Sequence, residues 1–331
     1  MNILVVRLGA LGDIVHAIPA VAAIRRAHPT ARIDWLVERK HRAIVDLVTA
    51  VDRTIELEPS LAAWVAATRE LRGSAYDVAI DFQGLMKSAV LARASGAPRV
   101  VGFSIWHLRE KTARPFYSAS APAESAHVIR KNLQLLRVIG IEDDTITFPI
   151  ADVVSPALDE VRSRAGAQPF ALINPGAAWP NKRWPVDRFA ELATFLREAS
   201  GLFPVVLWGP GEESLATAVI RASENAAIAA PPTSIPDLVA LARAAALVVS
   251  GDTGPLHIAT AVGTPTVSIF GPTDPERNGP WSSDDLSVSR FDRCDCHYDR
   301  TCHASTWCLE TVTIAEVCAA IQHRLAGRAH G

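Results

Sequence analysis

No cysteine precedes position 294, no apolar run reaches the ~20 residues a membrane-spanning helix needs, and neither sign of charge dominates. Thirty-three Lys and Arg stand against 35 Asp and Glu, a formal net charge of -2, which argues against a general nucleic-acid binder while leaving room for a local basic patch. The start of the chain, MNILVVR, lacks the basic region and cleavage site of a signal peptide. A cytoplasmic protein is expected, with any membrane contact peripheral. Also missing is the G-x-G-x-x-G spacing: Gly9 and Gly12 supply only a fragment. A dinucleotide-dependent oxidoreductase is thereby disfavoured.

What is present is length and alternation. The 331 residues, 49% hydrophobic and 21% charged, suffice for two cores. Short β-branched runs bounded by turn residues predict strands at 3–6, 32–37, 53–57 and 77–81, with helical stretches such as 14–27 and 61–71 between them. The pattern weakens at 143–168, where Pro149, Pro156 and Pro169 flank one short helical segment. It restarts with strands at 170–174, 203–208, 247–250 and 266–270, separated by helices at 186–199, 212–222 and 235–245, and closes on a helix at about 314–325. The fold class is α/β: two Rossmann-like domains facing a cleft, an acceptor-side domain over 1–155 and a nucleotide-side domain over 166–331.

Open parallel sheets bind ligands at the carboxyl ends of their strands, so the loops there carry the chemistry. After the strand at 247–250 comes Asp252-Thr253-Gly254-Pro255-Leu256-His257, a glycine turn opening a helix, whose free N–H groups and dipole suit a phosphate. Gly271-Pro272-Thr273-Asp274-Pro275 follows the next strand. Two adjacent Gly-, Thr- and Asp-rich loops read as a diphosphate cradle, against the alternative of ordinary turns. Lys182 and Arg183 precede a helix opened by Pro185 and offer charge for a departing diphosphate, or are two solvated cations. Glu212 and Glu213 follow another glycine turn and serve either ribose hydroxyls or the helix dipole. In the first half Asp13 sits at a helix start after a glycine turn, where it is a general base or a helix-stabilising carboxylate. Arg99, Arg109, Lys111 and Arg114, interleaved with Phe103, Trp106, Phe116 and Tyr117, predict a basic, partly apolar patch for a phosphorylated lipid headgroup, with a solvated loop as the alternative.

Taken in order, Arg7-x5-Asp13, Asp81-x-Gln83-Gly84-Leu85-x-Lys87-Ser88-Ala89, Lys182-x-Trp184-Pro185, Asp252-Thr253-Gly254-x2-His257 and the 271–275 loop resemble the family 9 glycosyltransferases, the ADP-heptose:lipopolysaccharide heptosyltransferases. The 81–89 block and the 34–38 strand look most like heptosyltransferase I. The resemblance implies a GT-B fold and a metal-independent, inverting transfer of heptose from ADP-heptose onto the Kdo of a lipopolysaccharide inner core, with a Kdo-lipid A acceptor. On it, Asp13 matches the catalytic base and Lys182 the lysine that contacts the donor. Asp252, Thr253 and Gly254, with Glu212 and His257, match the donor side, and Thr233 falls where the adenine lies. Arg7, Gln83, Lys87 and Arg109 fall on the acceptor side. One departure is plain: Ala177 and Ala178 stand where heptosyltransferase I carries hydroxyl residues beside the diphosphate. Heptosyltransferase II, a GT-B enzyme of another donor, and a non-catalytic nucleotide-sugar-binding protein are the alternatives; filled positions at Asp13 and Lys182 count against the last.

The five cysteines fall in the final segment, and Cys294, Cys296, Cys302 and Cys308 are spaced C-x-C-x5-C-x5-C with His297 and His303 nearby. In a cytosolic chain this favours a structural zinc or iron over disulfides, with reduced thiols as the other reading. Some family members carry a similar group, and one branch holds iron with it. No cofactor is expected for the transfer itself. Cys318, in the final helix, reads as core.

Overall fold

The computed structural model describes Met1–Gly327 and divides into two compact units, Met1–Asp152 and Val153–Gly331. In the first, β1 (Asn2–Val6), β2 (Arg32–Glu38), β3 (Arg53–Leu57), β4 (Val78–Asp81), β5 (Arg99–Phe103) and β6 (Ala119–Ala121) form one sheet in the order β3-β2-β1-β4-β5-β6. The second holds β7 (Phe170–Asn174), β8 (Phe203–Val206), β9 (Ile228–Ala229), β10 (Leu247–Gly251), β11 (Thr266–Phe270) and β12 (Leu286–Ser289), ordered β12-β11-β10-β7-β8-β9. Read from its other end, the second order repeats the first. All ladder pairings within both sheets are parallel.

Covering both faces with helices explains why the central strands are continuous apolar runs rather than alternating ones. Ile3, Leu4, Val5 and Val6 of β1 are fully buried, as are Leu172 and Ile173 of β7. Helix Leu11–Ala27 packs Ile14, Ile18, Val21 and Ile24 inward and ends with Arg25 and Arg26, whose charge suits the carboxyl end of a helix dipole. In the second unit the indole of Trp184 stands edge-on to Phe189, 5.2 Å between ring centres, and donates to the Val312 carbonyl at 3.0 Å. That contact ties the start of helix Val186–Glu198 to the returning final segment, where Val317 and Ile321 of helix Ile314–Ala326 complete the core.

Three differences from the sequence reading have physical causes. The helix expected at 14–27 starts at Leu11, because Asp13 accepts from the Ala10 N–H at 3.3 Å and so closes the first turn from within. The strand expected to reach 208 stops at Val206; the Trp208 indole instead donates to the Ala230 carbonyl at 2.7 Å. The basic, aromatic stretch 99–117 is not one surface: Arg99–Phe103 is β5, Phe103 and Tyr117 are buried, and Arg99 bonds the Val138 carbonyl. The short helix expected within 143–168 is Pro156–Ala165, capped by Ser155, whose hydroxyl also donates to Asp237 at 2.6 Å.

Candidate active site

At the carboxyl edge of the first sheet, β1 delivers Arg7 and helix Leu11–Ala27 delivers Asp13. The Arg7 guanidinium is almost wholly buried; one nitrogen meets Asp13 Oδ2 at 2.6 Å and another donates to the Phe82 carbonyl at 2.6 Å. Arg7, expected on the acceptor side, thus spends its fork on Asp13 and on the loop after β4. The Arg7 carbonyl accepts from the Trp35 indole at 3.1 Å, which fixes the backbone as well. Asp13 keeps a partly exposed carboxylate, its side chain 32% accessible.

The loop after β4 is organised by Asp81, which is fully buried. It accepts from Tyr117 Oη at 2.7 Å, Ser88 Oγ at 2.8 Å and the Gln83 N–H at 2.8 Å. Burial raises its pKa, against the pull of these donors. Gly84 turns the loop in the left-handed region (φ 69°), and Leu108 lies so close that an added Cβ would meet it at 3.0 Å. Gln83 accepts from the Leu8 N–H at 2.7 Å, locking the two strand-end loops together. Lys87 reaches Glu38, at the end of β2, at 2.7 Å, and Lys40 shares that carboxylate at 3.1 Å. Burial would raise Glu38, but the two ammonium groups win and hold its pKa low. Arg109 is exposed and pairs with no carboxylate among the described residues.

In the second unit the centre is Asp252, directly after β10. Its two oxygens meet Lys182 Nζ at 2.5 Å and His257 Nε2 at 3.0 Å. Burial alone would raise the Asp252 pKa, but the hydrogen bond and charge of His257 and the Lys182 ammonium hold it far below the carboxylate range. Lys182 also lies 4.5 Å from the ring centre of Trp179. Thr253 is the N-cap of helix Gly254–Ala261 with its hydroxyl turned away from the helix N–H groups: it accepts from Asn174 Nδ2 at 3.0 Å and lies 2.9 Å from Ser250 Oγ. Those N–H groups are left for a ligand.

After β8, Glu212 accepts from the Gly209 N–H at 3.0 Å and lies 3.6 Å from Arg183. It rests on Gly176, where an added Cβ would stand 2.2 Å from Glu212 Oε2. Ala177, at the neighbouring position, is buried. Thr233, partly exposed, precedes the Ser234 cap of helix Ile235–Ala244. The sequence reading missed two groups. Asn174 joins Ser250 and Thr253, and Thr273 is buried with a hydroxyl that has no partner among the described residues. Thr273 lies inside the second glycine loop, and that loop was its one signal in the sequence.

The cysteines lie beside this unit's loops. Cys296 and Cys302 sulfurs are 3.5 Å apart, and Cys308 is pushed up to about 12, first by burial and then by its hydrogen bond with Cys294. Among the described residues no group of three or more His, Cys, Asp or Glu is arranged to hold a metal ion, so the expected four-cysteine ligand set is not assembled as such. All five thiols are free. Their segment buttresses the Lys182 loop: Asn181 donates to the Asp299 carbonyl at 2.8 Å, and the Trp307 indole donates to the Asn181 carbonyl at 3.0 Å.

Two six-stranded parallel sheets of one topology, each with its polar loops at the carboxyl edge, define a protein of the GT-B class. The chain belongs to glycosyltransferase family 9 (heptosyltransferase), whose model matches residues 64–308, and it is a glycosyltransferase. It is 30% identical to the lipopolysaccharide heptosyltransferase 1 of Pseudomonas aeruginosa, over 91% of this chain and 87% of that protein. Among solved structures it is similar to a family 9 glycosyl transferase from Veillonella parvula, with a TM-score of 0.84 and 21% identity over 98% of this chain and 97% of that one. It is also similar to E. coli heptosyltransferase WaaC with ADP, with a TM-score of 0.78 and 24% identity over 98% of this chain and 100% of that one.

Proposed function

We propose that this chain transfers heptose from ADP-heptose onto the Kdo of a lipopolysaccharide inner core, as a heptosyltransferase I-like enzyme. The observation that carries the reading is the Lys182–Asp252–His257 cluster beside the open amino end of helix Gly254–Ala261. An ammonium and free N–H groups together suit a diphosphate, and the P. aeruginosa relative and the ADP-bound WaaC structure bear names that fit such a donor.

In this reading the second unit holds the nucleotide. Lys182 and the N–H groups after Thr253 meet the diphosphate, Glu212 the ribose, and Thr233 the adenine side. Backbone N–H donors take over where Ala177 and Ala178 lack hydroxyls. The first unit holds the acceptor, with Arg109 and Lys87 as cations for its anionic groups and Gln83 as a brace for the loop. The acceptor hydroxyl oxygen bonds to the heptose anomeric carbon as the bond from that carbon to the diphosphate oxygen breaks; ADP leaves with the electron pair, and Asp13 takes the hydroxyl proton. Arg7 aims the Asp13 carboxylate.

The step as proposed calls on no metal or cofactor. A structural zinc or iron at Cys294, Cys296, Cys302 and Cys308 is a separate proposal, supported by the close sulfur pairs alone. Metal analysis of protein purified without chelator is expected to give close to one ion per chain, and metal-free protein of unchanged stability contradicts it. No helix among the described residues is long and apolar enough to cross a membrane. The proposal places the enzyme in the cytoplasm, meeting its lipid substrate peripherally at the inner membrane. The test is an ADP-release assay crossing several nucleotide sugars with Kdo-bearing and already heptosylated acceptors. Release with ADP-heptose and the unheptosylated acceptor is expected; release only with another donor, or only with the heptosylated acceptor, redirects the assignment.

A further inference from the structure

The loop after β5 holds an apolar tip that neither the transfer chemistry nor the core uses. The Ser104 N–H donates to the Ala121 carbonyl at 2.8 Å, and the His107 N–H donates to the Ser104 carbonyl at 2.9 Å. This closes a turn with Ile105 and Trp106 at its two central positions. A contact of 2.9 Å between Ser104 Oγ and His107 Nδ1 braces it from inside. Leu108 folds inward against Gly84, but Trp106 is 82% exposed and Ile105 39%. Met86, at the start of helix Met86–Ala94, is equally exposed, and its N–H is held by Glu110 of the same loop at 2.7 Å. Arg109 and Lys111 follow, both exposed and neither paired with a carboxylate among the described residues.

We propose that Ile105 and Trp106 form a wedge that seats the protein on an anionic lipid bilayer, with Lys111 holding the phosphate layer beside it. A tryptophan in water at the apex of a rigid turn is poorly placed, and its amphipathic ring is at home at headgroup depth. Lys111, with no carboxylate partner among the described residues, matches an anionic lipid and contributes roughly fivefold in partitioning. A two-residue apex is too small for a stable protein interface, which needs about 800 Å² from each partner, but it fits between headgroups. The wedge leaves the carboxyl edge of the sheet that also carries Asp13. A bilayer there delivers a lipid-borne acceptor to the first unit's loops, so the inference rests on the acceptor read above.

The experiment is co-sedimentation of the full chain with vesicles of phosphatidylcholine alone and of phosphatidylcholine mixed with phosphatidylglycerol. Wild type is expected to bind the mixed vesicles and not the neutral ones. Trp106→Ser should weaken that binding by about tenfold or more, while Trp106→Phe, which keeps an aromatic wedge, should retain most of it. Lys111→Gln should weaken it by about fivefold at low salt, with the difference shrinking as salt rises. Turnover on a deacylated, water-soluble acceptor should be unchanged in Trp106→Ser, and turnover on bilayer-embedded acceptor should fall. Trp106→Ser binding vesicles as wild type does overturns the inference, and so does a role for Trp106 confined to self-association. Wild type that binds vesicles but glycosylates no soluble acceptor defeats the proposed function and leaves the wedge standing.

Discussion

The two units share one strand order and place opposite chemistries on the same edge. In the first, the loop after the leading strand carries a carboxylate clasped by an arginine, Asp13 with Arg7. The corresponding region of the second carries an ammonium held by a carboxylate, Lys182 with Asp252. The first pair leaves a partly exposed oxygen acceptor at the edge, fit to take a proton. In the second pair Lys182 keeps two further N–H donors for an incoming anion. A repeated sheet fixes where a loop emerges, and a few polar residues in the loop decide what it does.

That contrast can be broken first at Asp13. Asp13→Asn keeps the size of the residue, so folding should survive, while turnover falls by roughly 10²–10⁴, the usual contribution of a positioned base. Near-normal turnover, with a melting temperature lowered only modestly by the lost charge beside Arg7, would reduce Asp13 to a helix cap.

Lys182→Ala addresses the other edge. It removes the cation from a buried carboxylate, so donor use and ADP affinity should both drop by about 10- to 100-fold, in line with a lost charge-assisted contact of about 1.5–3 kcal/mol. Unchanged ADP affinity with normal turnover would take Lys182 out of the site.

Gly176→Ala is a finer probe of the second unit. The new methyl would overlap the Glu212 carboxylate, whose Oε2 lies 2.2 Å from where that methyl would stand, and must swing it off the Gly209 N–H. ADP affinity is expected to weaken several-fold, with a stability loss under about 1 kcal/mol because a flexible side chain can move. Affinity identical to wild type would show that Glu212 does not touch the nucleotide.

The smallest expected effect is on acid stability. Glu316 is held at about 2, first by its hydrogen bond with Arg290, and Asp143 in the first unit is held at about 2 by Arg26. Both folded values lie below the unfolded ones. The stability they add is therefore complete above about pH 4.5 and is lost as pH falls towards 2. Half-exposed pairs contribute modestly, so Glu316→Gln should lower the melting temperature slightly at neutral pH, with the difference closing in acid. A difference constant from pH 7 to 3 would contradict the assignment.

Most of this architecture was legible as short β-branched runs between turn residues. The strands at 53–57, 170–174 and 266–270 are found with those boundaries. What escaped was structure without that signal. Ala119–Ala121 and Ile228–Ala229 are too short to show a period, and Leu286–Ser289 alternates apolar and polar on an edge. Arg99–Phe103 was masked by its charge and aromatic ring. At the candidate site, the glycine turns marked where the loops lie, but partners could not be read. Lys87 finds Glu38 across 49 positions because parallel strands bring distant loops to one edge, and Asp81 finds Tyr117 across 36 because that ring lies over Gly102 of β5. The cysteine segment shows the same limit: its spacing suggested a ligand set, while its bonds to Asn181, which prop the Lys182 loop, could not be read from it.

The division of labour between the units is tested most directly by titrating ADP calorimetrically into the Asp13→Asn protein. ADP affinity is predicted to equal that of wild type, in a protein whose turnover has collapsed. An affinity loosened by tenfold or more would place Asp13 among the nucleotide's contacts and contradict the assignment of base and donor to different units.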